Sequence, residues 1–276
     1  MENFELSKDV QVKTVAIHIE DVEKMVCFYK NVLGFILKLE ENNLSIFGSQ
    51  AKNSRLLILE ETDSERVKTK FVEKSACLSL LIPTKEEFGS LLRRITAHNY
   101  PILKSTQKEY RRSVFLEDPE GNKLEISYQG ASEKFKEEIL DIQSLVDQSD
   151  ILYSSLSADV RFDCLKLCVQ DKAEHHSFYE DILGMISEGK TADRLSLNDK
   201  KFWIRLEDSK KQDRQVDTSE EVLGLDFFVV TINHEEEMKK LKQHLEKQKQ
   251  EFFVDKKLTI LTIYDPSEIE WWFVRD

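Results

Sequence analysis

The chain has 276 residues, with Lys+Arg 40 and Asp+Glu 52 for a formal net charge of −12. At about 100–200 residues per domain this length suggests two domains, and the acidic balance argues against a nucleic-acid groove, which needs a basic stripe. No run approaches the roughly 20 apolar residues that span a bilayer, and the opening residues have no signal-peptide core, so a cytoplasmic protein with no membrane and no nucleic-acid partner is expected; the alternative is a surface or secreted location reached without a signal peptide.

From the start, Val12 to Ile19 alternates, with Val15, Ile17 and Ile19 on one face and Thr14, Ala16 and His18 on the other. Glu20-Asp21 follows, then a helical pattern from Val22 to Val32 that stops at Leu33-Gly34, where glycine suits a left-handed cap. Strands are predicted at Phe35–Glu40, Ser45–Phe47 and Leu56–Glu60. A strand (Ala76–Ile82) and a helix (Lys85–Ala97) restart the pattern, and Ile102–Ser105, Tyr110–Leu116 and Lys123–Tyr128 read as strands. Asp118-Pro119-Glu120-Gly121-Asn122 is a turn, because proline fixes φ and glycine accepts positive φ. Residues 131–157 carry apolar side chains at Phe135, Ile139, Ile142 and Leu145-Val146, a spacing that predicts a linker helix laid against a domain.

The second half then repeats the first. Phe28-Tyr29-Lys30-Asn31-Val32-Leu33-Gly34 returns as Phe178-Tyr179-Glu180-Asp181-Ile182-Leu183-Gly184, 150 residues later, and Asp21 returns as Asp171. Leu59-Glu60, Asp118-Pro119 and Leu124-Glu125 reappear in the same order as Leu206-Glu207, Asp265-Pro266 and Ile269-Glu270. Ordered landmarks at a nearly constant offset define a tandem: 8–130 and 158–276, each built of two β-α-β-β-β modules, in the α+β class.

These residues carry a resemblance. The pattern of alternating strand, Asp, Phe-Tyr-x-x-x-Leu-Gly, then Asp118-Pro-Glu-Gly-Asn-Lys-Leu-Glu125 resembles the vicinal oxygen chelate superfamily, which includes glyoxalase I and extradiol dioxygenases. It implies four modules curled into two half-open barrels, each around a cavity where a divalent metal grips two substrate oxygens. More narrowly, the run Leu56 to Arg66, the tandem and Ile269-Glu-Trp-Trp-Phe273 resemble CppA-type proteins of Gram-positive cocci, which are named complement-degrading proteinases. That name implies proteolysis and a complement component as protein partner; nothing in the residues themselves does.

In the superfamily one ligand stands seven residues before the Asp of the first strand, one opens the next module, and a Glu follows the Asp-Pro turn. Here those places hold Thr14, Cys77 and Glu125 in the first half, and Cys164, Phe227 and Glu270 in the second. A phenyl ring has no lone pair, and a thiol is a poor ligand for a hard ion. No metal and no cofactor is therefore expected, and the reading is a small-molecule- or protein-binding factor of unknown ligand. The alternative is a lyase or dioxygenase holding iron, manganese, zinc or nickel through displaced ligands: His18, about 13 Å along the strand from Thr14, with Glu60 and Glu125. Arg112, beside Arg111, is a candidate for binding an anion at the mouth of the first cavity. No catalytic residue is assigned: no G-x-S-x-G or H-E-x-x-H occurs, His175 and His176 read as helix-surface residues, and a carboxylate near Cys77 would weaken it as a nucleophile. The four cysteines, Cys27, Cys77, Cys164 and Cys168, form no C-x-x-C pair and read as reduced thiols, mostly in cores.

Overall fold

The computed structural model describes residues 4–62, 76–130, 134–149, 153–188, 193–198, 200–209 and 223–275. The first module contains β1 (Gln11–Ile19), α1 (Val22–Cys27), β2 (Ile36–Glu41), β3 (Leu44–Gly48) and β4 (Leu57–Glu61). The second contains β5 (Ala76–Ile82), α2 (Lys85–Ala97), β6 (Lys104–Glu109), β7 (Arg111–Glu117) and β8 (Lys123–Gln129). The connection carries β9 (Phe135–Glu138) and α3 (Ile142–Asp147). The third module has β10 (Arg161–Val169), α4 (Lys172–Ser177), β11 (Ile186–Glu188), β12 (Arg194–Ser196) and β13 (Trp203–Asp208). The fourth has β14 (Gly224–Ile232), α5 (Glu235–Gln248), β15 (Phe253–Val254), β16 (Ile260–Tyr264) and β17 (Glu270–Arg275). The mixed α+β class and the four modules are those expected from the repeat.

The repeated landmarks turn out to be one another's partners. Asp21 and Asp171 cap α1 and α4, each accepting from a backbone N–H three residues on. The helix expected over Val22–Val32 is present over that span, α-helical only to Cys27. It widens at Phe28 into a π turn, as does the second copy at Phe178, and the adjacent Phe28 and Tyr29 are both buried. Gly34 and Gly184 then take φ of +80° and +66°, as a left-handed cap requires. The Tyr29 hydroxyl donates to Asp118 at 3.0 Å, and Tyr179 donates to Asp265. The Phe-Tyr and Asp-Pro motifs thus recur together because they are bonded together.

Module pairing departs from the chain order. Two half-barrels that each close within one half would join modules one to two and three to four. Instead the eight-stranded sheet runs β15-β16-β17-β14-β1-β4-β3-β2, and the nine-stranded sheet runs β11-β12-β13-β10-β5-β8-β7-β6-β9. Module one joins module four through antiparallel β1 and β14, and module two joins module three through antiparallel β5 and β10. Alternation decides which face a strand buries, not which strand meets its edge, so this pairing is silent in the sequence. The sheets' buried sides and the helices share one hydrophobic core.

Two leader segments lock the exchange. Leu6 and Val10 are buried; the Leu6 carbonyl accepts from Asn198 at 3.1 Å, and the Ser7 N–H donates to Glu237 at 3.4 Å. In the other direction, the Leu156 N–H donates to the Gly34 carbonyl at 2.8 Å and the Ser157 N–H to Glu87 at 2.8 Å. Each half thus begins by docking on the other.

The linker expected as a helix over 131–157 has a different form. Phe135–Glu138 extends the nine-stranded sheet against β6, and among the described residues of the linker only Ile142–Asp147 is helical, starting at an Asp141 cap. Phe135 buries its ring under Arg112 while Ile139 is 83% exposed, so the apolar positions do not share one helical face. The linker's Asp150–Leu152, and Asp63–Arg66 of the CppA-like run, lie outside the described residues.

Candidate functional site

Since each sheet takes one module from each half, the six candidate residues divide between the two sheets. Thr14, His18 and Glu60 stand on the eight-stranded sheet, and Cys77, Glu125 and Arg112 on the nine-stranded one. The combinations Thr14–Cys77–Glu125 and His18–Glu60–Glu125 are therefore not assembled.

On the eight-stranded face, the superfamily ligand places are spent. The Thr14 hydroxyl donates to the Arg55 carbonyl at 2.7 Å. Phe227 stacks on Trp272 at 4.7 Å, and the Trp272 indole N–H donates to Glu270 at 2.5 Å. A second group lies toward the other end of β1. His18 Nε2 is 3.3 Å from Asp226 and 3.8 Å from Glu60, and one donor atom from each of the three lies within 4.8 Å of the others. Burial and the Glu60 and Glu270 charges raise the Asp226 pKa, against the lowering effect of His18. One imidazole thus faces converging carboxylates, a donor set that fits a divalent ion.

Asp226 escaped the sequence reading for a geometric reason. Val15 faces Phe228 and Ile17 faces Leu225, so Asp226 and Phe227 together oppose Ala16 in a bulge. Strict alternation would send Asp226 and Phe227 to opposite faces; a bulge brings both to the concave one. β10 has the same device. Phe162 faces Leu80 and Cys164 faces Ser79, which leaves Asp163 in a bulge, and Asp163 and Cys164 both line the cavity. Each bulge adds an aspartate immediately before a superfamily ligand place.

The nine-stranded face encloses a cavity of ≈ 1120 Å³. Glu125, 3% exposed, lies at its floor. It accepts from Arg111 Nε at 3.0 Å and the Ser113 hydroxyl at 2.5 Å, and pairs with Lys166 at 2.5 Å. Arg111 also forks onto Asp163 at 2.8 and 3.2 Å and reaches Ser79 at 2.6 Å. Burial works to raise the Glu125 pKa, but the Arg111 and Lys166 charges override it and hold it at about 2. Burial, opposed by Lys166 and reinforced by Glu125, pushes the Cys77 thiol up to about 11; burial with Asp163 and Glu125 pushes Cys164 to about 12. Two protonated thiols and a carboxylate already neutralised by fixed cations do not fit a divalent metal.

Several expectations change. Arg111, rather than Arg112, enters the cavity; Arg112 lies over the Phe135 ring at 4.1 Å. Cys27 is exposed and the other three thiols are half-buried, so none is a fully buried core residue; all four are free. His175 is buried rather than on the surface. Its Nε2 lies 2.7 Å from the Ser267 hydroxyl and its Nδ1 2.8 Å from the Asp171 carbonyl. This is a nucleophile-base geometry, yet the Ser267 and Ile269 N–H groups donate to Asp265 and so are not aimed at an oxyanion. The pair ties a turn to α4, as Glu120 does in the first half by accepting from the N–H groups of Glu20 and Asp21.

Comparison with known proteins matches both halves. Residues 11–126 match the model of the Glyoxalase/Bleomycin resistance protein/Dioxygenase superfamily, and residues 156–273 that of the CppA C-terminal domain. The chain is 24% identical over 261 residues to a catechol-2,3-dioxygenase of Bacillus subtilis (strain 168), covering 84% of this chain and 86% of that one. The crystal structure of the cppA protein from Streptococcus pneumoniae TIGR4 shares the fold at TM-score 0.64 and 17% identity, over 100% of both chains. Glyoxalase I from Zea mays shares it at TM-score 0.59 and 12% identity, over 96% of this chain and 92% of that one. No helix among the described residues is long and apolar enough to cross a membrane.

Proposed function

We propose that this chain, a vicinal-oxygen-chelate protein whose first half matches the glyoxalase/dioxygenase superfamily and whose second half matches the CppA C-terminal domain, is a small-molecule-binding protein whose ligand enters the nine-stranded half-barrel without a metal there. One observation carries the reading. Glu125, the carboxylate at the superfamily's ligand place, is bonded to Lys166 and Arg111 on the floor of a ≈ 1120 Å³ cavity. Arg111 and Lys166 supply the counter-charge to that carboxylate which an ion supplies elsewhere in the superfamily. A cavity of this size encloses a molecule of ordinary metabolite dimensions. The test is ligand binding before and after dialysis against a chelator, followed through tryptophan emission, since Trp203 lines the wall. Unchanged affinity is expected; affinity lost on chelation and restored by one divalent ion would overturn the reading.

The His18–Glu60–Asp226 group, together with the dioxygenase name of the Bacillus subtilis relative, favours a second reading for the eight-stranded face. There the three side chains would hold iron, manganese, zinc or nickel, and a bound ion would supply Lewis-acid polarisation of a substrate oxygen. Calorimetric titration with Mn²⁺ and Zn²⁺ tests it. Binding near one ion per chain, lost in His18→Ala and Asp226→Asn, is the supporting result, and no binding at millimolar ion the opposing one.

A further inference from the structure

Across the nine-stranded sheet, three cations stand side by side. Lys166 on β10 is in register with Arg205 on β13, and Arg205 is in register with Arg194 on β12. All three line the cavity. Like charges directly opposite on neighbouring strands destabilise a sheet, and nothing in the fold requires three in a row. Lys166 is answered by Glu125. Arg194 and Arg205 have no carboxylate partner among the described residues; Arg194 lies over the Trp203 ring at 3.5 Å, which fixes its plane. The opposite wall is mixed: exposed Lys104, Lys108, Glu109, Glu137 and Glu138 line it beside apolar side chains. Lys104 and Lys166 flank the Phe115 ring at 5.8 and 4.8 Å, and Leu103 and Ile139, 60% and 83% exposed, stand at the same cavity.

We propose that the Lys166–Arg205–Arg194 row is the subsite for the acid group of a small organic anion, a carboxylate or phosphate, whose aryl or alkyl body lies against Phe115, Leu103 and Ile139. This rests on the reading that the nine-stranded cavity is the ligand site, and it names the ligand class. Planar guanidinium forks match both acids bidentately, and an acid group there relieves the repulsion built into the row.

Three probes separate the outcomes: phenyl phosphate, 3-phenylpropanoate and the neutral 3-phenylpropanol, each titrated into the purified full chain. Either anion should bind at least tenfold more tightly than the alcohol, and the tighter of the two assigns phosphate or carboxylate. The Arg194→Gln/Arg205→Gln variant should lose at least tenfold for the anions and leave the alcohol unchanged. Both side chains are exposed, so folding should survive; without ligand this variant should melt about 1–2 °C higher, through relief of like charge. If the variant binds the anions as well as the natural chain does, or if the alcohol binds as tightly as they do, the anion subsite is overturned while the cavity reading stands. If none of the three binds, the subsite falls and the cavity reading falls with it.

Discussion

The two half-barrels share a strand order and differ in charge. The eight-stranded face gathers His18, Glu60, Asp226 and Glu270 and fills one end with the Phe227–Trp272 stack. The nine-stranded face gathers Lys166, Arg111, Arg194 and Arg205 around two buried carboxylates, Glu125 and Asp163, and leaves a cavity. The frame is constant because it depends on what packs between sheets and helices: the capping Asp, the Tyr–Asp bond and the left-handed glycine recur in both halves. The concave faces carry no such duty, and their residues have diverged, to carboxylates around one imidazole on one and to cations interleaved with carboxylates on the other. Fold and chemistry here rest on different residues of the same strands.

The strongest way to break the contrast is to remove the anchor of the nine-stranded face. Glu125→Gln strips the counter-charge from Lys166 and half of that from Arg111, and should cost about 3–5 kcal/mol in denaturant unfolding. A cost below about 1 kcal/mol would mean that the cations find other partners.

Acid sharpens the same point with a defined sign. The Glu125 pKa falls from 4.5 to about 2 on folding, so its contribution is complete above about pH 4.5 and is lost as pH drops toward 2. The loss should approach about 3 kcal/mol. Asp226 runs the other way. Its pKa is raised on folding, so its charged form opposes folding, and protonation as pH falls through the carboxylate range should add stability. Acid unfolding curves of the natural chain, Glu125→Gln and Asp226→Asn should therefore diverge in opposite directions.

A test of the shared frame comes next in size. Tyr29→Phe and Tyr179→Phe each remove one buried hydrogen bond to an Asp-Pro turn and should cost about 1–2 kcal/mol apiece, nearly equally. Unequal costs would show that the halves are alike in outline only. The smallest effect is expected at Asp226→Asn, which should raise stability at pH 7 by about 0.5 kcal/mol by easing repulsion with Glu60 and Glu270. A loss would show that the His18 pair outweighs that repulsion.

The sequence reveals the frame better than the sites, for identifiable reasons. The strand before Asp21, the Phe-Tyr motif and the Asp-Pro turn are local or repeated signals, and they give the modules and the fold. Glu125 stands out in the sequence through its place after the Asp-Pro turn. Its partners do not. Lys166 lies in the other half of the chain, and the register that brings β10 beside β5 has no local signature. Asp163 and Asp226 were hidden by bulges that reverse the parity alternation assigns. Arg111 and Arg112 were separable only once Val114 and Leu116 fixed the core face of β7, which turns Arg111, Ser113 and Phe115 to the cavity. Arg194 and Arg205 follow no motif; a search for like charges at facing strand positions would have found them, given the register.

Pairing the outermost modules with each other has a consequence for how the molecule can come apart. Val12 faces Val230, so the centre of the eight-stranded sheet is incomplete until both outer modules have been made, while the centre of the nine-stranded sheet joins β5 to β10 from the two middle modules. Severing the connector should not release two autonomous halves. Each fragment would present two naked central strand edges, β1 and β5 or β14 and β10, and such edges recruit whatever complementary backbone is at hand. The pieces should reassemble with each other, or double up as pairs of identical fragments, and a nick near residue 132 should leave a particle that travels intact until denaturant is added.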